Sequence, residues 1–192
     1  MARARPAPPE PWTVDEFLAW EREQEERYEY VDGVIRMTVG GTLDHNTIIG
    51  NVFSALRSQL KGGACRVFVE AVKVSSGNAT MYPDVVVTCT PGSGRSDVVP
   101  EPEIVVEVLS RSTQGFDRGP KLDAYQQIPS LKQYVLIAQE EIRVSMYERD
   151  EGGWRYRTVQ DLDGSLAFAV ADATMSLAEV YDGATVALQA SG

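Results

Sequence analysis

Apolar positions along the chain fall into two rhythms, and runs without either mark places where both sides are covered. Val14, Phe17, Leu18 and Trp20 share one side of a helix whose start is signalled by Thr13 and Glu16, the two ends of a capping box. Glu21 to Arg27 carry no apolar side chain and predict a solvated face. Tyr28–Val31 and Val34–Met37 then alternate around Asp32-Gly33, the signal of a two-residue hairpin turn. Gly40 and Gly41 mark a loop. Beyond it Ile48, Ile49, Val52, Phe53, Leu56 and Leu60 make one stripe, predicting a helix over 44–60 that stops at Gly62-Gly63.

The second half of the chain shifts to strands. They are expected over 65–74, broken by 75–78, over 83–88 and over 103–110, with a surface loop from 90 to 97. A helix is expected over 117–127, with Pro120 tolerated in its first turn. Strands follow at 133–138, 142–147 and 154–159, the last two paired. Asp163-Gly164 marks a final hairpin, and Ser176 with Glu179 forms a second capping box before a short terminal helix. No repeat or internal boundary interrupts this order. The expectation is a disordered tail over 1–11 and a single domain over 12–192, of α/β class, with a central mixed sheet flanked by helices and additional hairpins.

Composition narrows the function. A chain of 192 residues, 43% hydrophobic and 24% charged, suits one soluble domain with a substantial core. No apolar run reaches membrane-spanning length, and the basic start lacks the apolar segment of a secretory signal. A cytoplasmic protein without a membrane partner is expected. Cys65, Cys89 and His45 are too few and too scattered for a structural zinc site, and free thiols are expected. Eighteen Lys and Arg against 28 Asp and Glu give a net charge of −10. Nucleic-acid binding then requires basic residues clustered by the fold, or metal ions that offset the acid.

Candidate chemistry gathers between 83 and 125. Asp84 heads the run Val85–Val87, and Glu107 has apolar neighbours on both sides within Glu103–Ser110. A carboxylate in a strand covered on both faces costs several kcal/mol, roughly, unless a cation or donors meet it. Two such acids on neighbouring strand ends suit Mg²⁺ or Mn²⁺, which acidifies a bound water. The plain structural alternative makes Asp84 a turn-former and Glu107 the partner of an arginine. Asp117, Lys121 and Tyr125 are spaced four apart on one predicted helix face. Lys121 could position water or stabilise charge on phosphate; it could equally form a surface ion pair with Asp117. Asp117 could instead cap the helix and Tyr125 be core. His45, near a helix start, is a candidate base or phosphate contact, or simply structural. Glu29 is a candidate third acid or a solvent-facing strand residue, and Lys73 is a rival to Lys121. No P-loop, nucleophile elbow or dinucleotide fingerprint is present.

Taken in order, Pro83-Asp84, Glu107 to Ser110, Asp117 with Lys121 and Tyr125, and Gln133 to Ile137 resemble the Uma-two family. These are restriction-endonuclease-like proteins of the PD-(D/E)XK nuclease superfamily. Tyr28 to Gly33 and His45 resemble the family's amino-terminal half. The resemblance implies a restriction-endonuclease-like core and Mg²⁺-dependent (or Mn²⁺-dependent) cleavage of phosphodiesters. Asp84 then stands for the acid of the PD motif and Glu107 for that of the (D/E)XK motif, both as metal ligands. Leu109 stands where the superfamily's lysine is expected, and the resemblance assigns that role to Lys121 on the following helix. Glu29, His45, Asp117 and Tyr125 are expected in a second rank, as orienting or peripheral groups. The expected function is a metal-dependent endonuclease acting on DNA, with a homodimer suited to cutting two strands. The alternatives are a catalytically silent binding module, and a metal-dependent hydrolase of RNA or another phosphate ester.

Overall fold

A computed structural model describes residues 12–38, 40–170 and 172–186, so the tail expected over 1–11 lies outside the described residues. Helix α1 (Val14–Glu21) opens with the expected capping box: Glu16 N–H donates to Thr13 Oγ1 and the Glu16 carboxylate accepts from Thr13 N–H. Strands β1 (Tyr28–Val31) and β2 (Val34–Met37) pair antiparallel about Asp32-Gly33. Both turn residues have positive φ, 48° and 83°, which matches the twist of a tight hairpin. Helix α2 (Leu43–Gln59) is capped by Thr42, whose hydroxyl accepts from His45 N–H.

The segment expected as one strand over 65–74 is divided. Strand β3 (Arg66–Val69) ends before Glu70, where φ is +48°, and the chain leaves its sheet. Strands β4 (Val74–Ser76) and β5 (Ala79–Met81) form a hairpin through the expected break and join β1 and β2 in a second sheet, ordered β2-β1-β5-β4. Strands β6 (Val85–Thr88) and β7 (Pro102–Leu109) follow the expected positions closely.

The helix expected over 117–127 is two pieces, α3 (Gln114–Asp117) and α4 (Pro120–Gln126). Pro120 disfavours helical geometry in the residue before it, and Gly119 accordingly sits at φ −120°, ψ −106°. Strands β8 (Gln133–Ala138), β9 (Val144–Asp150) and β10 (Gly153–Val159) complete a six-stranded sheet ordered β10-β9-β8-β7-β6-β3. Its β7–β8 pair is parallel and its other pairs antiparallel, so the sheet is mixed. Asp163-Gly164 does not close a hairpin. It leads instead into a separate antiparallel pair, β11 (Ser165–Ala167) with β12 (Thr174–Ser176), followed by α5 (Leu177–Val180).

The large sheet is apolar on both faces. Val85, Val87, Val106 and Val135 pack with Ile48, Val52 and Leu56 of α2 on one side. Val86, Val105, Leu109 and Tyr134 pack with Ala124 and Tyr125 of α4 and with Val31, Val74 and Met81 of the smaller sheet on the other. Two corrections concern polar residues. Glu21 is buried, pairing with Lys73 at 2.9 Å and accepting from the Tyr82 hydroxyl at 2.7 Å, so the solvated face begins after it. Cys65 and Cys89 are joined in a disulfide rather than free. The β3–β6 ladder opposes Arg66 to Thr88, and one step outward it opposes the two cysteines. Their separation of 24 residues hides a pairing that the strand register makes.

Candidate active site

Side chains alternate along a strand, so Glu107 follows Val105 and precedes Leu109 on the face covered by α4 and the smaller sheet. In the β6–β7 ladder Val85 opposes Val106, which sets Asp84 and Glu107 one rung further on. Asp84 Oδ2 accepts from Val108 N–H at 2.6 Å, fixing the carboxylate against β7. Its other oxygen lies 3.5 Å from His45 Nε2, delivered by the first turn of α2. Nδ1 of His45 is buried and has no partner among the described residues.

Glu107 and Lys121 are 4% and 3% exposed. Lys121 Nζ lies 2.7 Å from Glu107 Oε1, 3.0 Å from Glu29 Oε1 and 3.4 Å from Asp117 Oδ1. The Tyr125 hydroxyl donates to Glu107 Oε1 at 3.0 Å, and Tyr82 N–H donates to Glu29 Oε1 at 2.9 Å. The Tyr134 hydroxyl donates to the Asp117 carbonyl at 3.0 Å, holding the end of α3 against β8. Asp117 thus meets Lys121 across the helix break rather than along one helix, and the pair is buried rather than on the surface. Glu29, likewise, faces the cluster and not solvent. The structure therefore brings together Asp84, Glu107, Lys121, Glu29, His45, Asp117 and Tyr125. Lys73 stands apart, its ammonium held by Glu21 and Asp97 at 2.9 Å each.

Electrostatics follow from crowding acids in a dry place. Burial raises the Glu107 carboxyl well above the carboxylate range; Lys121 opposes this, while Asp84, Asp117 and Glu29 add to it. Burial likewise raises Asp117 against the pull of Lys121. For Lys121, burial alone favours the neutral amine, but Glu107 and Glu29 override it and hold the ammonium well above its usual range. His45 behaves similarly: burial pushes it down, the Asp84 carboxylate outweighs that, and the net direction is up. Burial, with Glu107 adding to it, pushes the Tyr125 phenol well up, so it remains a donor.

A cavity of about 410 Å³ opens onto these groups, with Asp84, Glu107, Lys121 and His45 in its wall. Among the described residues no three His, Cys, Asp or Glu side chains form a ready metal cluster. Asp84 and Glu107 nevertheless fit a hard divalent ion, which takes one or two carboxylates and completes its shell with water and phosphate. The charge balance supports that fit: Glu29, Glu107 and Asp117 surround a single ammonium, and Asp84 adds a fourth acid close enough to act on Glu107. Arg36, Ser110, Thr113, Phe116 and Gln139 also line the cavity and were not singled out in the sequence. The one available signal was the hydroxyl-rich Ser110 to Thr113 directly after the acidic strand.

The model of the Uma2 family, described as "Putative restriction endonuclease", matches residues 14–178. The chain is 34% identical to Uncharacterized protein slr1290 of a Synechocystis species over 167 residues, covering 85% of this chain and 88% of that one. It is 30% identical to Uncharacterized protein sll1609 of the same organism, covering 71% and 80%. A crystal structure described as a putative nuclease belonging to DUF820 from Anabaena variabilis superposes with a TM-score of 0.76 at 21% identity. That match covers 90% of this chain and 98% of the other, so the two share a fold.

Proposed function

Because the chain belongs to the Uma2 family, we propose that it is a metal-dependent endonuclease hydrolysing phosphodiester bonds in DNA. The observation that carries this reading is the buried Lys121 ammonium, held among Glu107, Glu29 and Asp117 beside Asp84 at the wall of an open cavity. Asp84 and Glu107 would hold Mg²⁺ or Mn²⁺, which supplies positive charge to phosphoryl oxygens and a more acidic water.

The protein's own groups do the remaining work. Val108 N–H fixes Asp84, and the Tyr125 hydroxyl fixes Glu107, so neither carboxylate must reorganise when substrate arrives. Lys121, always protonated here, orients the attacking water and meets charge that develops on the phosphoryl oxygens. Glu29 and Asp117 hold that ammonium in place. His45, beside Asp84, donates toward the site from Nε2 when it is protonated.

A catalytically silent module has two observations in its favour: the net charge of −10, which works against a DNA grip, and Leu109 where the superfamily's lysine is expected. Nicking of supercoiled plasmid separates the two readings. Mg²⁺- or Mn²⁺-dependent nicking that disappears in a folded Glu107→Gln protein supports the enzyme; nicking indifferent to Glu107 removes it from the mechanism. Parallel assays on single-stranded, duplex and branched DNA and on RNA decide the substrate class. A homodimer would supply the second cut in a duplex. Among the described residues no helix is long and apolar enough to cross a membrane. An enzyme of cellular DNA belongs in the cytoplasm, where the Cys65–Cys89 bond is open to reduction.

A further inference from the structure

Beside the cavity described above lies a second one of about 290 Å³, and the two share Ser110 and Gln139 in their walls. The second cavity sits at the downstream ends of β7 and β8, where Leu109 and Ala138 line it. Its charged residues are Arg111, Arg118, Glu140 and Glu141. Glu140 is taken by Arg111, Nε lying 2.6 and 2.9 Å from its two oxygens, and Glu141 is paired with Arg143 at 3.2 Å. Arg118 is half-buried, and among the described residues its side chain has neither an ion pair nor a hydrogen bond. Its charge is felt at the Tyr147 and Tyr156 phenols.

Arg36 is a second uncommitted guanidinium, on the first cavity's wall. It lies over the Phe116 ring at 4.4 Å, and among the described residues its side chain hydrogen-bonds only to the Ser112 carbonyl, at 3.5 Å. Between the two arginines runs Ser110 to Thr113, with the Ser110 hydroxyl 3.0 Å from those of both Ser112 and Thr113. Among the arginines lining these two cavities, Arg111 is paired with Glu140, and Arg118 and Arg36 are left without a carboxylate partner among the described residues. A guanidinium that no carboxylate occupies is shaped to take a phosphate through paired N–H donors.

We propose that Arg118 and Arg36 are backbone-phosphate grips on either side of the catalytic cavity, so that a nucleic-acid strand lies across Ser110 to Thr113. The proposal rests on the nuclease reading, and it answers the charge objection locally: Arg118 and Arg36 set two guanidiniums without carboxylate partners along the strand's path, beside site acids that a bound divalent ion would offset.

The test measures binding of a fluorescein-labelled oligonucleotide, single-stranded and duplex, as salt is varied, in a Glu107→Gln parent that does not cut. Arg118→Gln and Arg36→Gln should each weaken binding about fivefold and flatten the dependence of log K on log salt by about 0.7 for single strands or 0.9 for duplex. Arg118→Lys should keep the slope and lose only part of the affinity. Arg57→Gln, exposed on α2, should leave both unchanged. Equal slopes in the parent and in Arg118→Gln would overturn the Arg118 grip, and a parent that binds no oligonucleotide would overturn the whole proposal. Hydrolysis of bis(p-nitrophenyl) phosphate by the wild-type protein judges the nuclease reading separately, since that ester is too short to reach either grip.

Discussion

Lys121 Nζ and Glu107 Oε1 stand 2.7 Å apart, both nearly buried at the wall of the cavity, and no arginine takes part. The pair joins the second half of β7 to the first turn of α4, so it is a contact between elements and not within one. Breaking it from either side has different consequences.

Removing the cation is the more damaging change. Lys121→Ala leaves Glu107, Glu29 and Asp117 facing one another without a counter-charge, and should cost about 3–5 kcal/mol of stability. Urea denaturation reads this directly. Glu107→Gln should cost less, because the ammonium retains two carboxylates. Combining the two should cost less than their sum; strict additivity would show that the groups do not interact.

Divalent ions should stabilise the folded chain. Millimolar Mg²⁺ or Mn²⁺ should raise Tm by several degrees, as any ligand selective for the native state does. Asp84→Asn with Glu107→Gln should erase the rise. A wild-type protein indifferent to both ions would count against the metal assignment.

The disulfide should be detectable chemically. Unfolded without reductant, the protein should resist alkylation at both cysteines, and prior reduction should expose two thiols by mass. Closing a loop of 24 residues contributes about 3 kcal/mol in the chain-entropy account, so Cys65→Ser with Cys89→Ser should lower the urea midpoint. Ready alkylation of the unreduced protein would show that the bond does not form.

Tyr181 gives a pH signature away from the site. Burial pushes its phenol up to about 12, against the ordinary 10.0, while the hydrogen bond from Arg143 N–H opposes the rise. Between those values the folded chain keeps a proton that the unfolded chain has released. Stability from this group is therefore complete below pH 10 and declines as pH rises toward 12, by about 1.4 kcal/mol for each pH unit crossed. In Tyr181→Phe that alkaline slope should be shallower; an unaltered slope would place its origin elsewhere.

Much of this architecture was legible because local rules and tertiary demands agree in it. The capping boxes at Thr13 and Ser176, the Asp32-Gly33 turn and the stripe on α2 are decided within a few residues, and each formed. Asp84 and Glu107 are legible for a related reason, since polar groups within Val-rich runs demand partners, whereas Lys121 stands out only by its four-residue spacing from Asp117 and Tyr125 and by the family resemblance. What stayed hidden depends on register or on distant neighbours. The cysteines meet through the β3–β6 ladder, and Glu21 is buried by Lys73 and Tyr82 from other elements. The split of α3 from α4 was written in Gly119-Pro120, but a proline is also welcome in a first turn, and here the second helix's first turn claimed it. Arg36 and Arg118 carry no local signal at all; their place on the walls of two adjoining cavities is supplied by the fold alone.

The parallel run of β7 beside β8 has a consequence for how such a chain can diversify. Both strands discharge their connections at one end of the sheet, through Ser110 to Thr113 and through Gln139 to Glu141. Lengthening or recharging either connection would reshape what is grasped there without disturbing a single valine beneath. The groups proposed to cut and those proposed to hold a strand could therefore be altered independently.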